Sequence, residues 1–379
     1  MEPSGGAKTT TDVSWTERGL VRAARWISES GAAPAKRVVV ASDELRADAA
    51  YRLACEGTAI LWRGDYHNAR QLLQAIGRRL EHKPPKSAAS PVEAFHLHRQ
   101  AQSLRARTLG MLLLPFDGDY RIPLRRAPDA RQACVEAFGP PEGPSVASLR
   151  ALLGAIGAHE WRKKGIEVPA LSGRIHPHYG VFAPVRQEYV QLVAEAPLPT
   201  QALAFEIGTG TAVLAAVLAR RGVQRVIATD TDARALACAR ENIARLGLDG
   251  QVEVIERDLY PEGRAPLLVC NPPWVPARPS SPIEHAIYDH ESRMLRGFLA
   301  GAPTHLAPDG EAWLILSDIA EHLGLRSREM LLALFHESKL EIVGRLDARP
   351  RHPKALDRTD PLHAARSAEV TSLWRLAAR

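Results

Sequence analysis

With 379 residues, 45% of them apolar and 24% charged, the chain has the make-up of an ordinary globular protein, long enough for two domains and able to bury a sizeable core. No run approaches the ~20 apolar residues of a membrane span, and MEPSGGAKTTTD at the start lacks a basic stretch followed by an apolar one, so the cytoplasm is the expected compartment and no membrane is expected as partner. The formal net charge of +6 suits an acidic partner such as RNA.

Residues 1–13 are rich in Gly, Ser and Thr and read as a disordered tail. The spacing over 15–27 predicts an amphipathic helix, 37–41 a short buried strand, and Ser42-Asp43-Glu44 a helix start with Leu45, Ala49 and Leu53 on one face. A strand at 58–62 and a helix from Asn68 to Leu80 follow, so the first region is α/β or mostly helical. Residues 82–91 read as a linker. The stretches 96–107 and 120–126 are basic, the second extended, and helical spacing returns at Leu149, Leu152, Leu153 and Ile156. From about 196 the pattern sharpens: strands at 202–207, 225–230, 252–255, 267–270 and 311–316 alternate with helices, and strands near 340–346 and 370–376 close the edge. The fold class is α/β, a doubly wound seven-stranded sheet. Cys55, Cys134, Cys238 and Cys270 have neither zinc-ligand nor C-x-x-C spacing and read as reduced thiols.

Three turns at strand ends carry the candidate chemistry. Phe205-Glu206-Ile207-Gly208-Thr209-Gly210-Thr211 follows a strand and opens a helix, and its glycines let the backbone approach a ligand at the carboxyl edge of the sheet. Position 213 is Val, so the dinucleotide pattern G-x-G-x-x-G is not met. Asp230, 20 residues after Gly210, ends the next strand, where a carboxylate can accept both hydroxyls of a ribose; Asp232 is the better helix cap. Asp258 can accept from an adenine amino group with Leu259 packed on the ring, or be an ordinary turn aspartate. The most specific signal is Asn271-Pro272-Pro273-Trp274. Its prolines rigidify the turn and remove two donors, leaving carbonyls and the Asn271 side-chain oxygen to accept from a substrate N–H, while Trp274 offers a face to a planar group. Such a grip fixes the direction of a nitrogen lone pair, and what then remains for a reaction at that nitrogen is alignment.

The series FEIGTGT … ATDTD … ERDLY … VCNPPW resembles the class I S-adenosylmethionine-dependent methyltransferases, in the N-methyltransferase branch with an N-P-P-aromatic motif. That branch includes the release-factor glutamine, rRNA guanine-N2 and N6-adenine methyltransferases. The resemblance covers about 196–379 and implies a Rossmann-like methyltransferase sheet with S-adenosylmethionine as cofactor. By that likeness Glu206, Gly208, Thr209 and Gly210 line the methionine part, Asp230 takes the ribose, and Asp258 and Leu259 take the adenine. Asn271, Pro272 and Trp274 form the catalytic turn, with Asn271 also beside the cofactor. Ala212 stands where the family often has a third glycine. In this branch a segment before the first strand commonly covers the cofactor, so Tyr179, Phe182 and Pro184 are expected in the pocket wall. Tyr288 and Arg293 are expected at the acceptor, and capping accounts for Asp289 equally well. His176 and His178 lack an acidic or cysteine partner at metal-ligand spacing, and no metal is expected.

The chain accordingly divides into a tail (1–13), an accessory or substrate-recognition domain (14–150), a connecting helix with the cofactor-covering segment (151–195) and the catalytic domain (196–379). The basic balance, the arginines and lysine of the 349–366 loop and the extra domain favour an RNA base as acceptor. That domain is reminiscent of the non-catalytic first domain of the rRNA guanine-N2 enzymes. A protein glutamine amide and a small-molecule nitrogen are the alternatives, because all three are planar.

Overall fold

A computed structural model describes residues 11–28, 30–81, 88–279, 282–350 and 356–379, with backbone alone for 282 and 283. Residues 1–10 of the tail, 82–87 of the linker, and Arg351 and Lys354 of the basic loop lie outside them. The chain divides into two compact units, 1–86 with 99–160, and 87–98 with 161–379.

The first unit is built on one sheet in the order β1-β2-β6-β5-β4-β3, from β1 (Asp12–Glu17), β2 (Leu20–Ile27), β3 (Arg37–Ala41), β4 (Thr58–Trp62), β5 (Leu112–Phe116) and β6 (Ser145–Ser148). β3, β4 and β5 are parallel, and β4 and β5 are buried throughout: Ile60, Trp62, Leu112 and Leu114 face the helices, and Ala59, Leu61 and Leu113 face Val13 and Trp15 of β1. The helices are α1 (Ala47–Cys55), α2 (Tyr66–Glu81), the second part of α3 (Pro91–Leu109), α4 (Arg131–Phe138) and most of α5 (Leu149–Lys164). Of the two readings of this region, α/β is the right one.

The helix expected over 15–27 is instead the β1–β2 hairpin, and β1 begins inside the segment read as tail. Arg18 and Gly19 sit at φ 53° and 77°, the two-residue turn whose twist matches a hairpin, and Val13 and Trp15 alternate into the core. The arginines of this unit are largely paired. Asp65, buried after β4, accepts from Arg125 Nε at 2.8 Å and Arg126 Nε at 2.7 Å; Arg121 meets Asp117 at 2.5 Å and Arg105 meets Glu81 at 2.9 Å. The basic stretch 120–126 is therefore a turn held by carboxylates, not an extended arm.

The second unit holds a seven-stranded sheet in the order β11-β10-β9-β12-β13-β15-β14. Its strands are β9 (Leu203–Ile207), β10 (Arg225–Asp230), β11 (Val252–Glu256), β12 (Ala265–Cys270), β13 (Leu306–Ser317), β14 (Leu340–Ala348) and β15 (Thr371–Ala378). The first five in that order run parallel and the last two pair antiparallel. Strand alternation splits the core in two. Ala204, Leu267, Val269, Trp313 and Ile315 face a layer with α6 (Glu188–Glu195), α7 (Val213–Arg220) and α8 (Ala233–Arg245). Phe205, Leu268, Cys270, Leu314 and Leu316 face α9 (Arg293–His305) and α11 (Arg328–Glu337). Chain order reverses beside β9, and open sheets of this kind bind ligands in the crevice outside the carboxyl ends there. Ahead of the sheet lies a short hairpin of β7 (Ile166–Val168) and β8 (Gly173–Ile175); α10 (Ile319–His322) follows β13, and α12 (His363–Ala368) interrupts the last long connection.

Candidate active site

β9 delivers Glu206 to the reversal point with 2% of its surface exposed. Its Oε2 accepts from Thr209 Oγ1 at 2.5 Å and from the Ala215 amide at 3.1 Å, tying the strand to the first turn of α7. The Gly208 and Thr209 amides donate to the Thr229 carbonyl at 2.9 and 2.8 Å, which locks the turn to β10. Gly208 (φ 73°) and Gly210 (φ 55°) both occupy left-handed backbone. A Cβ on Gly208 would run into Met294 Cε at 2.3 Å, whereas one on Gly210 would meet nothing within 4 Å. The turn is thus closed on one side and open on the other. Ala212 takes the left-handed conformation too, at φ 62°, where an L-residue costs about 1–2 kcal/mol that the third glycine of the family would not.

Burial drives the Glu206 carboxyl up to about 8, and the charge of Asp230 adds to this against the bonds from Thr209 and Ala215. The native state therefore keeps a proton that the unfolded chain releases near 4.5, and stability falls as pH rises between the two values. Thermal melts should show the gap between Glu206→Gln and wild type widening in the variant's favour from pH 4.5 to 8, by a difference on the order of a few kcal/mol. Parallel curves would show that this carboxyl does not titrate as its burial requires.

Asp230 Oδ2 accepts from the Gly210 amide at 2.9 Å, and Oδ1 from the Thr231 and Asp232 amides at 2.8 and 3.0 Å. Asp232 caps α8 by accepting from the Ala235 amide at 2.8 Å. Asp258 stands exposed at the rim and pairs with Arg293 at 3.0 Å. Leu259, at φ 66°, turns its side chain against α9, where a Cβ on Gly297 would lie 2.5 Å from its Cδ1. The structure thus brings Arg293, expected at the acceptor, to the aspartate expected at the adenine. Asp289 is buried and accepts from the Met294 and Leu295 amides at 3.1 Å each; burial raises its pKa against those bonds, and it serves to cap α9.

Asn271-Pro272-Pro273-Trp274 leaves β12 next to the glycine turn's strand. Asn271 Oδ1, expected to be free for a substrate, accepts from Trp274 Nε1–H at 2.8 Å. A carbonyl oxygen has a second lone pair, so the bond orients the amide without exhausting it. Trp274 packs against three hydrophobic clusters, and the Arg186 guanidinium lies 5.1 Å from its ring centroid. Arg186 is held by Glu188 at 2.6 Å and Glu369 at 3.0 Å, and Glu369 also accepts from Ser317 Oγ at 2.6 Å. One face of Trp274 is therefore taken by a guanidinium that is itself held by Glu188 at the start of α6 and by Glu369 ahead of β15, which Ser317 of β13 fixes in turn.

The covering segment is anchored through α8. The His176 amide donates to Asn242 Oδ1 at 2.7 Å, and Asn242 Nδ2 reaches the Thr211 carbonyl at 3.2 Å, so one side chain stitches this segment to the glycine turn. His178 Nε2 meets Glu241 at 2.6 Å, and Arg162 meets the same carboxylate at 2.6 Å. Tyr179 lies 5.6 Å under Arg234 in the first turn of α8, Phe182 packs on the α6–α8 layer, and Pro184 is buried. Tyr288 forms an edge-on pair with Phe95 (6.4 Å between centroids) and bridges to Val275 just past the turn. Among the described residues no group of three or more His, Cys, Asp or Glu is placed to hold a metal, and no helix is long and apolar enough to cross a membrane.

Sequence reasoning missed Arg186, Glu369, Asn242 and Met294. Arg186 and Glu369 are 183 positions apart, and no local pattern links them. Asn242 had a signal, an amide on the apolar face of an amphipathic helix, where a polar group needs a partner.

Residues 174–341 match the family described as Methyltransferase small domain. Over 112 residues the chain is 33% identical to a ribosomal RNA small subunit methyltransferase C of Alcanivorax borkumensis, covering 29% of this chain and 30% of that protein. It is 30% identical over 181 residues to a release factor glutamine methyltransferase of Cereibacter sphaeroides, covering 44% and 63%. It is 29% identical over 161 residues to a tRNA1(Val) (adenine(37)-N6)-methyltransferase of Bacteroides fragilis, covering 38% and 68%. The chain spans less than two thirds of the length of the first two. The glycine turn, the acidic strand ends and the N-P-P-W turn all fall inside the segment that matches the methyltransferase small domain.

Proposed function

We propose that the chain transfers a methyl group from S-adenosylmethionine to a planar nitrogen of an RNA base. The observation that carries this is the Asn271–Trp274 bond at the end of β12, which presets an amide oxygen beside the glycine turn. The residues fit the cofactor: the open side of Gly210 leaves room for it, the Glu206 carboxyl can meet an ammonium, and Asp230 and Asp258 can accept from ribose and adenine donors. When bound, the cofactor supplies an activated methyl group. Asn271 Oδ1 accepts from the acceptor N–H with its second lone pair, Trp274 fixes that oxygen, and Pro272 and Pro273 keep the turn from relaxing. The acceptor lone pair then faces the cofactor, and catalysis is mainly alignment. Tyr179 and Phe182 wall the cofactor side, where Arg293 holds Asp258, and Tyr288 stands on the acceptor side.

The net charge of +6 and two relatives named for RNA favour a base as acceptor, unstacked from its strand to reach the turn. A second reading, a glutamine amide of a protein, draws on the longest of the three similar stretches, that to the release factor enzyme. The cytoplasm is the compartment either substrate implies. Filter binding separates the two readings: affinity for RNA should fall steeply as salt rises from about 50 to 200 mM, by tenfold or more for several phosphate contacts. Affinity indifferent to salt, with methyl transfer into protein, would replace the first reading by the second.

A further inference from the structure

The loop between α10 and α11 contains a buried arginine that the site described above does not use. Arg326 is 6% exposed, and its Nε and Nη2 have no hydrogen-bond partner among the described residues. Such groups are rare, since an unpaired buried polar atom is costly and an unpaired buried cation more so. The carboxylates whose charge it feels are committed elsewhere. Glu321 accepts from Arg328 Nε at 2.9 Å, and Asp289 accepts from two amides of α9. Arg328 adds a like charge.

Position gives this orphan a meaning. β13 pairs with β12, so the chain leaving β13 emerges next to the N-P-P-W turn. Leu323 and Leu325, flanking the loop, pack in one cluster with Val275, Tyr288 and Trp274. The same wall that supports the acceptor turn therefore contains a guanidinium with one edge unsatisfied. Nε and Nη2 together form the side-on edge of the fork, which grips two oxygens of one oxyanion.

We propose that Arg326 anchors a phosphate of the acceptor nucleotide next to the Asn271–Trp274 turn. This rests on the RNA reading. A phosphate is favoured over a carboxylate by the positive charge of the chain, and an acidic peptide is the alternative that the test must separate.

The test uses the full chain with inorganic phosphate and RNA as probes. Phosphate exchanged for chloride at constant ionic strength should raise the Tm of wild type. Arg326→Met, which removes an uncompensated buried charge, should melt above wild type without phosphate and ignore phosphate; KM for RNA should rise about tenfold, with kcat and cofactor Kd unchanged. Arg326→Lys keeps the charge without the fork and should lose most of the phosphate shift. An Arg326→Met variant that melts lower and still responds to phosphate would make the residue structural. A full response in Arg326→Lys would contradict the two-oxygen grip. Loss of the phosphate shift with RNA KM unmoved would overturn the nucleotide role while RNA methylation stands. If no RNA is methylated at all, the functional reading fails, and the phosphate shift still decides whether Arg326 holds an oxyanion.

Discussion

Replacing Asn271 by alanine is expected to lower the methyl-transfer rate by about 10²–10³-fold, the cost of deleting one preset polar contact to the reacting group. Cofactor Kd, measured by titration calorimetry, should move less than about twofold, because the loss falls on the transferring step and not on binding. The reason is geometric. Asn271 Oδ1 is held by Trp274 Nε1–H at 2.8 Å, and Trp274 is fixed by packing on three clusters and by the Arg186 guanidinium. Alanine removes the acceptor oxygen and strands the indole N–H in a partly buried site. A variant that turns over at the wild-type rate would show that the acceptor nitrogen is held by something else.

Asp230→Ala should have the opposite profile. Cofactor affinity is expected to fall about 100-fold, from the loss of charge-assisted acceptors for two ribose hydroxyls at ~1.5–3 kcal/mol each, less what water restores. The turn itself also suffers, since the Gly210, Thr231 and Asp232 amides all donate to this carboxylate. The rate at saturating cofactor should stay within a fewfold of wild type. Unchanged Kd with a collapsed rate would reverse the division of labour between Asp230, which binds, and Asn271, which directs the transfer.

Much of this site was readable because it is local. Each turn follows an apolar strand directly, so strand ends and turn residues fixed Glu206, Gly208, Gly210, Asp230 and Asn271 in one crevice once the sheet order was in place. The cap at Asp232 was readable for the same reason: the Ala235 amide it serves is three residues away. What escaped is what the tertiary fold creates. The pairing of Asp258 with Arg293 depends on how α9 meets the end of β11, and the clamp on Trp274 depends on Arg186 meeting Glu369, 183 positions away. The hairpin at 12–27 escaped differently. Its apolar residues satisfy a helical spacing about as well as an alternating one, and Arg18-Gly19 as a two-residue turn was the overlooked signal. The basic segment 120–126 was misread as extended for a third reason. Charge is visible in sequence, but Asp65, which accepts from both Arg125 and Arg126 and folds the segment into a turn, lies about 60 positions away.

The central claim is that the Asn271–Trp274 turn directs a methyl group to a planar nitrogen. Incubating the protein with deuterated-methyl S-adenosylmethionine and RNA from a strain lacking this gene, followed by nucleoside mass spectrometry, addresses it most directly. The expected result is a trideuteromethyl group on a base nitrogen, present with wild type and absent with Asn271→Ala. Label on a ribose oxygen or a base carbon, or equal labelling by the variant, would contradict it.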